Sequence, residues 1–317
     1  MIAIGIHGGC GTLPVEMMST AQWDEARAHL GDALRAGWAL LARGAPALDA
    51  VEAAVVVLED SPYFNAGYSC ALNTDGEHEL DASIMDGAAL RAGAVCAVRR
   101  IRNPVRAARA VLDHGASVLL AGSAADAFAQ AQGIAMVEPG YFTTERQVLA
   151  LARLKARAED GTIAMAGEAE KHGTVGAVAL DALGNLAAAT STGGFNNKPA
   201  GRVGDTPVVG AGIYARNGVC AVSGTGQGEV FIRLVASYDV AARMMYAGQS
   251  LESAANAVVH DALSAHRIGA GMVAIDAAGK VVTPFNTIGM YRGWVTTEGD
   301  LTVASHKEEH RLGRLVR

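Results

Sequence analysis

No basic cluster occurs anywhere in the chain and the formal net charge is −6, so nothing general points to nucleic acid or an anionic membrane as a partner. Cysteine is scarce. Cys10, Cys70, Cys96 and Cys220 lie far apart with no CxxC pair, which indicates neither a zinc site nor a disulfide framework. A continuous apolar run of about 18 residues, the mark of a membrane-spanning helix, is also missing. The opening "MIAIGIHGGCG" has no basic segment before its short apolar stretch, so no secretory signal is expected. These absences lead to the expectation of a soluble, cytoplasmic protein. Aromatic residues are only 5% of the chain, whereas half of it is hydrophobic and 38 of 317 residues are glycine, which suggests Ala/Val-rich layers joined by tight turns.

Residues 2–6 read as a short buried strand ending in the glycine-rich "HGGCG". A helix follows, with Leu30, Leu34, Trp38 and Leu41 at helical spacing and Gly44 placed to stop it. Val51, Val55 and Leu58 mark a second helix. "HELDASIMDG" and "AGAVCAV" read as strands, and Pro104 suits the first turn of another helix. Helical patterns continue to about Asp160, and residues 160–173 have weak periodicity, as expected of a flexible connector. Two similar hairpin units then appear, "VGAVALDALGNLAAATST" and "GMVAIDAAGKVVTPFN", each built around an Asp-x-x-Gly turn. Between them the pattern predicts one helix from about Gly228 to Gly248. Antiparallel sheets layered with helices, in a single domain spanning 1–317, fit this order better than a doubly wound parallel sheet.

If Asp181 pairs across its turn with Gly184, Thr174 falls opposite Ser191 and beside Thr192, so two threonine hydroxyls converge at the open end of the hairpin. Threonine enrichment in strands is the plain alternative. The following loop, "STGGFNNKPAGRVGD", carries Arg202 and Asp205, which suit either a surface ion pair or a zwitterion clamp. In the clamp, a guanidinium takes a carboxylate and an aspartate takes an ammonium. "VSGTGQGEVF" passes from strand to helix through Gly224, Gly226 and Gly228, glycines that let backbone approach a ligand. It has neither GxGxxG nor a Walker lysine. His78-Glu79 lacks the second histidine of HExxH.

Taken together, "IHGG", "FNAG", "HELDASIMDG", "HGTVGAVALD", "TSTGG", "NK..GRVGD" and "TGxGE" resemble the motifs of the plant-type L-asparaginases, or isoaspartyl peptidases, across essentially the whole chain. These are N-terminal nucleophile hydrolases. The resemblance implies an α+β fold, a four-layer αββα sandwich with antiparallel sheets. It further implies self-cleavage at Gly173-Thr174 into an α subunit (1–173) and a β subunit (174–317), assembled as (αβ)2. Thr174 then becomes nucleophile and base in one residue, because its freed amine has a pKa of about 7.7–8.0. Thr192 is expected to tune Thr174, and Thr225 with Gly226 to form the oxyanion hole. Arg202 is expected to hold a substrate carboxylate, Asp205 and the Gly228 carbonyl its ammonium, and Asn65 to position it. The implied substrates are L-asparagine and β-aspartyl dipeptides. No organic cofactor is implied, only a structural sodium ion held by main-chain carbonyls of Leu58, Glu59, Ser61, Phe64, Ala66 and Tyr68.

The chain departs from the commonest family pattern at Gly224, Gln227, Pro199-Ala200 and Ile288, which leaves the preference between asparagine and dipeptides open. Glycosylasparaginase is the nearest enzyme alternative, although it typically shows HDT where this chain has His172-Gly173-Thr174. An uncleaved protein that merely binds an amino acid through Arg202 and Asp205 is the alternative of a different class.

Overall fold

Side-chain alternation along two central strands decides how the layers stack. The computed structural model describes residues 1–159 and 173–316, so the expected connector at 160–173 lies, but for its last residue, outside the described residues. Before Thr174, β1 (Ala3–Gly11) leads to the helices α1 (Thr20–Ala42) and α2 (Ala47–Glu59). The strands β2 (Leu80–Asp86) and β3 (Arg91–Val98) follow, then α3 (Pro104–His114), β4 (Leu119–Ala121), α4 (Gly122–Ala131) and α5 (Glu145–Glu159). After Thr174 come β5 (Val175–Leu180), β6 (Leu186–Thr192), β7 (Ile213–Arg216) and β8 (Cys220–Gly226), then α6 (Gly228–Leu234), α7 (Ala236–Ala247) and α8 (Leu251–Asn256). The chain closes with β9 (Ala270–Asp276), β10 (Val281–Val282), β11 (Gly289–Val295), β12 (Asp300–Ala304) and β13 (Glu309–Arg314).

Nine strands form one sheet in the order β13, β12, β11, β1, β5, β6, β2, β3, β4, and four form a second in the order β10, β9, β8, β7. On β5 and β6, Ala177, Ala179, Ala187 and Ala189 pack into the core beneath α1, α2 and α3. Their alternates Val178, Leu180, Leu186 and Ala188 join the core shared with β8, β9, α7 and α8. A period of two thus buries both faces of the strands and produces helix, sheet, sheet and helix layers, the expected αββα sandwich. Among the described residues the ladders between these strands are antiparallel except that of β3 with the short edge strand β4. No described helix is long and apolar enough to cross a membrane.

Local signals act where the sequence places them. Ser19 and Gln22 form a reciprocal capping box at the start of α1. Gly44, at φ +80°, follows the end of that helix, and Pro104 opens α3.

Two expectations need correction. The observed ladder pairs Val175 with Ser191 and Gly176 with Thr190, one residue away from the predicted register. The turn is longer than assumed: Asp181 N–H donates to the Asn185 carbonyl, and the Asp181 carboxylate accepts the Leu183 and Asn185 N–H groups. Asp276 and Lys280 repeat this arrangement in the second hairpin. The second correction concerns the helix predicted from Gly228 to Gly248, which is two helices. Val235 adopts a left-handed conformation (φ 50°, ψ 47°) between α6 and α7, a break that a non-glycine residue does not announce.

Leu34 is fully buried on α1, whereas Leu183 at the hairpin turn is 87% exposed. Leu34→Ala is expected to cost about 2–5 kcal/mol and Leu183→Ala under about 0.5 kcal/mol. Urea-unfolding midpoints compare them, and equal shifts would contradict this division between core and surface.

Candidate active site

The corrected register brings Thr174 level with Thr192, both on the face turned toward the second sheet. Thr174 Oγ1 donates to Thr192 Oγ1 at 3.3 Å, and the Gly194 N–H donates to the same Thr192 oxygen at 3.0 Å. The one-residue difference matters because it sends Ser191 to the opposite face. There its hydroxyl donates to Glu59 Oε1 at 2.6 Å. Burial raises the Glu59 carboxyl to about 8, partly offset by that hydrogen bond. Thr174 and Thr192 are both buried.

The second sheet contributes Thr225 and Gly226 from the end of β8. Gly226 has φ +154°, and a Cβ there would lie 2.8 Å from the Gly269 carbonyl oxygen and from the Phe231 ring. No other residue fits this strand end without a shift. Phe231 also accounts for Gly224: a Cβ at that position would meet the same ring at 2.6 Å. The small residue that departs from the family pattern thus sits under an aromatic ring from α6.

Arg202 and Asp205 arrive on the loop after β6. Arg202 Nε and Nη2 both reach Glu229 Oε1 at 2.9 Å, and the Phe195 ring lies 4.8 Å from the guanidinium carbon. Glu229 was not singled out in the sequence; its place in the first turn of α6, two residues from the Gln227 that faces the cavity, was the available signal. Asp205 Oδ2 is buried without a hydrogen-bond partner among the described residues. Burial raises this carboxyl to about 7, against the opposing pull of its own backbone N–H and Arg202. Gly228 packs behind both side chains without lining the cavity: a Cβ there would lie 2.8 Å from Asp205 Oδ1 and from Arg202 Nη2.

Gly173, Thr174, Thr192, Arg202, Asp205, Thr225, Gly226, Gln227 and Glu229 line one cavity. Its free volume is about 30 Å³, on the order of a water molecule or two. Asn65 stands beside it rather than in it. Its Nδ2 donates to the Gly194 carbonyl at 2.5 Å and its Oδ1 accepts the Ala71 N–H at 2.7 Å. It therefore pins the strand end that carries Thr192 and faces a second, larger cavity that Gly173 also lines. Among the departures, Pro199 accepts the Arg202 N–H in the clamp loop, and Ile288 is an exposed surface residue.

Beneath Thr174 runs a polar seam that the sequence did not reveal. His7 Nε2 lies 2.8 Å from Ser223 Oγ, which is 2.8 Å from Thr190 Oγ1. Burial lowers the His7 imidazole to about 3, so it is neutral at working pH. Gly176 gives this seam its space.

The six carbonyls expected to hold sodium fall on the end of α2 and the irregular loop after it. Those of Leu58 and Glu59 already accept the N–H groups of Ser61 and Tyr68, while Ser61, Phe64, Ala66 and Tyr68 offer carbonyls that accept no backbone hydrogen bond among the described residues. Neutral oxygens in a tight loop suit a hard monovalent cation, so the donor set fits the group.

A Cβ at Gly176 would lie 1.9 Å from Ser223 Oγ and 2.6 Å from His7 Nε2. Gly176→Ala is expected to cost about 1–3 kcal/mol, and adding Ser223→Ala to restore part of it. Urea unfolding of both variants checks this, and a neutral Gly176→Ala would refute the close approach.

Comparison with known proteins agrees with the geometry. The asparaginase family model matches residues 1–304. An isoaspartyl peptidase of Salmonella typhimurium is 49% identical over 294 residues, covering 92% of this chain and 94% of its own. One from Escherichia coli is 47% identical over 309 residues, covering 96% of each chain. An isoaspartyl peptidase/L-asparaginase of Bos taurus is 42% identical over 286 residues, covering 90% of each.

Proposed function

The chain belongs to the asparaginase family, and from that membership we propose that it is a self-processing threonine hydrolase of β-aspartyl dipeptides and L-asparagine. The observation that carries the proposal is the shared cavity. A threonine hydroxyl paired with a second threonine, an arginine, and a buried aspartate with one oxygen unpartnered meet there at the Gly173-Thr174 junction.

Maturation comes first. Thr174 Oγ1 attacks the Gly173 carbonyl carbon, the C–N bond breaks as the nitrogen takes a proton, and water hydrolyses the resulting ester. Gly173 becomes a carboxylate and Thr174 a free amine. The small volume of the cavity in the uncut chain supports this order, because asparagine needs the space beside Thr174 that Gly173 occupies.

In turnover the Thr174 amine takes the hydroxyl proton and Oγ1 attacks the β-carbonyl of the substrate. Thr225 Oγ1 and the Gly226 N–H stabilise the oxyanion, a role whose loss typically costs about 100- to 1,000-fold in rate. The leaving nitrogen takes the proton and departs as ammonia or an amino acid. Water then releases aspartate from the β-aspartyl ester. Thr192 orients Thr174, Arg202 holds the α-carboxylate, and Asp205 with the Gly228 carbonyl holds the α-ammonium. Asp205 suits that task because its unpartnered oxygen is a buried acceptor awaiting a cation.

The carbonyls of Leu58, Glu59, Ser61, Phe64, Ala66 and Tyr68 would hold sodium, which supplies a structural tie for the loop that carries Asn65. Assembly as (αβ)2 and a cytoplasmic location belong to the same proposal.

Two groups must be deprotonated in the free mature enzyme, the Thr174 amine and the Asp205 carboxyl. Because the Asp205 value is raised to about 7, its useful charge is lost as pH falls through that value. The acid limb of log kcat/KM for asparagine is therefore expected to approach a slope of two, and Asp205→Asn to reduce both the slope to one and the kcat/KM itself by about 100-fold or more. An unaltered slope and rate in Asp205→Asn would remove Asp205 from the site, and a mature protein inert toward both substrates would overturn the function.

A further inference from the structure

The larger cavity beside the site is also built for a ligand. It encloses about 330 Å³, within the size range of small-molecule sites. Its wall includes Leu13, Tyr63, Phe64 and Tyr291, with Asn65 at the inner end. One helix supplies its charge: Arg146, Ala150 and Arg153, spaced along α5, all face it. Arg146 donates to the Pro62 carbonyl and to Ser69 Oγ, both neutral acceptors. Neither Arg146 nor Arg153 has a carboxylate partner among the described residues.

Gly173 connects this cavity to the chemistry, since it lines both cavities. It packs on Asn65, with a Cβ at Gly173 calculated to lie 3.4 Å from the Asn65 nitrogen. In turnover the aspartyl half of the substrate is fixed on the Arg202 and Asp205 side of Thr174. The bond that breaks must then point away from the clamp, toward the side held by Gly173 before cleavage.

We propose that the Arg146/Arg153 cavity is the subsite for the leaving amino acid of a β-aspartyl dipeptide, with the two guanidinium groups receiving its free α-carboxylate and Leu13, Phe64 and Tyr291 receiving an apolar side chain. The inference rests on the function proposed above and extends it to the other half of the substrate. Cleavage at Gly173-Thr174 breaks the bond that ties the nucleophile to the residue lining both cavities. Asparagine, whose leaving group is ammonia, makes no use of the subsite.

The test compares three substrates on the mature enzyme: L-asparagine, β-aspartyl-leucine and β-aspartyl-leucinamide, which lacks the leaving-group carboxylate. In the Arg146→Gln/Arg153→Gln variant the ratio of kcat/KM for β-aspartyl-leucine to that for asparagine is expected to fall about ten-fold or more, the scale of a lost charged hydrogen bond. The corresponding ratio for the amide is expected to move less than about three-fold, because its uncharged end gains little from either arginine. An unmoved dipeptide ratio, or an equal fall for dipeptide and amide, would overturn the subsite. If the double variant fails to mature, Arg153→Gln alone, an exposed position on α5, is read by the same ratios. Failure of the unaltered mature enzyme on all three substrates would instead overturn the function itself, and the subsite with it.

Discussion

The close approach of the two sheets is the constraint on which the site depends. At Gly5 a Cβ would lie 2.7 Å from a Val281 methyl, and at Gly176 it would lie 1.9 Å from Ser223 Oγ. Gly5, Gly176 and Ala188 present little or no side chain to the second sheet for this reason. Larger side chains would separate the layers and carry Thr225 and Gly226, on one sheet, away from Thr174 and Thr192, on the other. The seam pairs His7 Nε2 with Ser223 and Ser223 with Thr190 where the layers are nearest. A neutral imidazole costs far less to bury there than a charged one.

From this packing the division of labour follows. The large sheet holds Thr174 and Thr192 at the end of a hairpin, the small sheet brings the strand end with Thr225 and Gly226, and the loop between them carries Arg202 and Asp205. Arg202 is held by Glu229 on one edge and Phe195 on its face, which fixes the guanidinium in place. Asp205 differs, as a carboxyl whose buried Oδ2 has no hydrogen-bond partner among the described residues. In the function proposed above, the combination selects a zwitterion by charge at both ends.

Much of this was legible in the sequence because it is local. Hairpins announce themselves through alternating apolar residues and Asp-x-x-Gly turns, and antiparallel sheets layered with helices follow from elements whose periods are clear, whereas the four-layer αββα order is what the family resemblance implies. Thr174, Thr192, Thr225, Arg202 and Asp205 stood out through motifs, and the structure gathers all five around one cavity. The register was off by one because the turn closes at Asn185 rather than Gly184, a matter of which backbone groups Asp181 binds. The break at Val235 carries no glycine or proline to mark it. Glu229 on Arg202, the His7 seam and the Arg146/Arg153 cavity join residues far apart in the chain, and no spacing rule encodes such contacts.

The central claim is that Thr174 becomes a chain terminus, and the intact mass of the purified protein under denaturing conditions tests it most directly. The account predicts two species, residues 1–173 and 174–317, whose masses sum to that of the 317-residue chain plus the water consumed in cleavage. A single full-length species in a preparation that hydrolyses asparagine would contradict it.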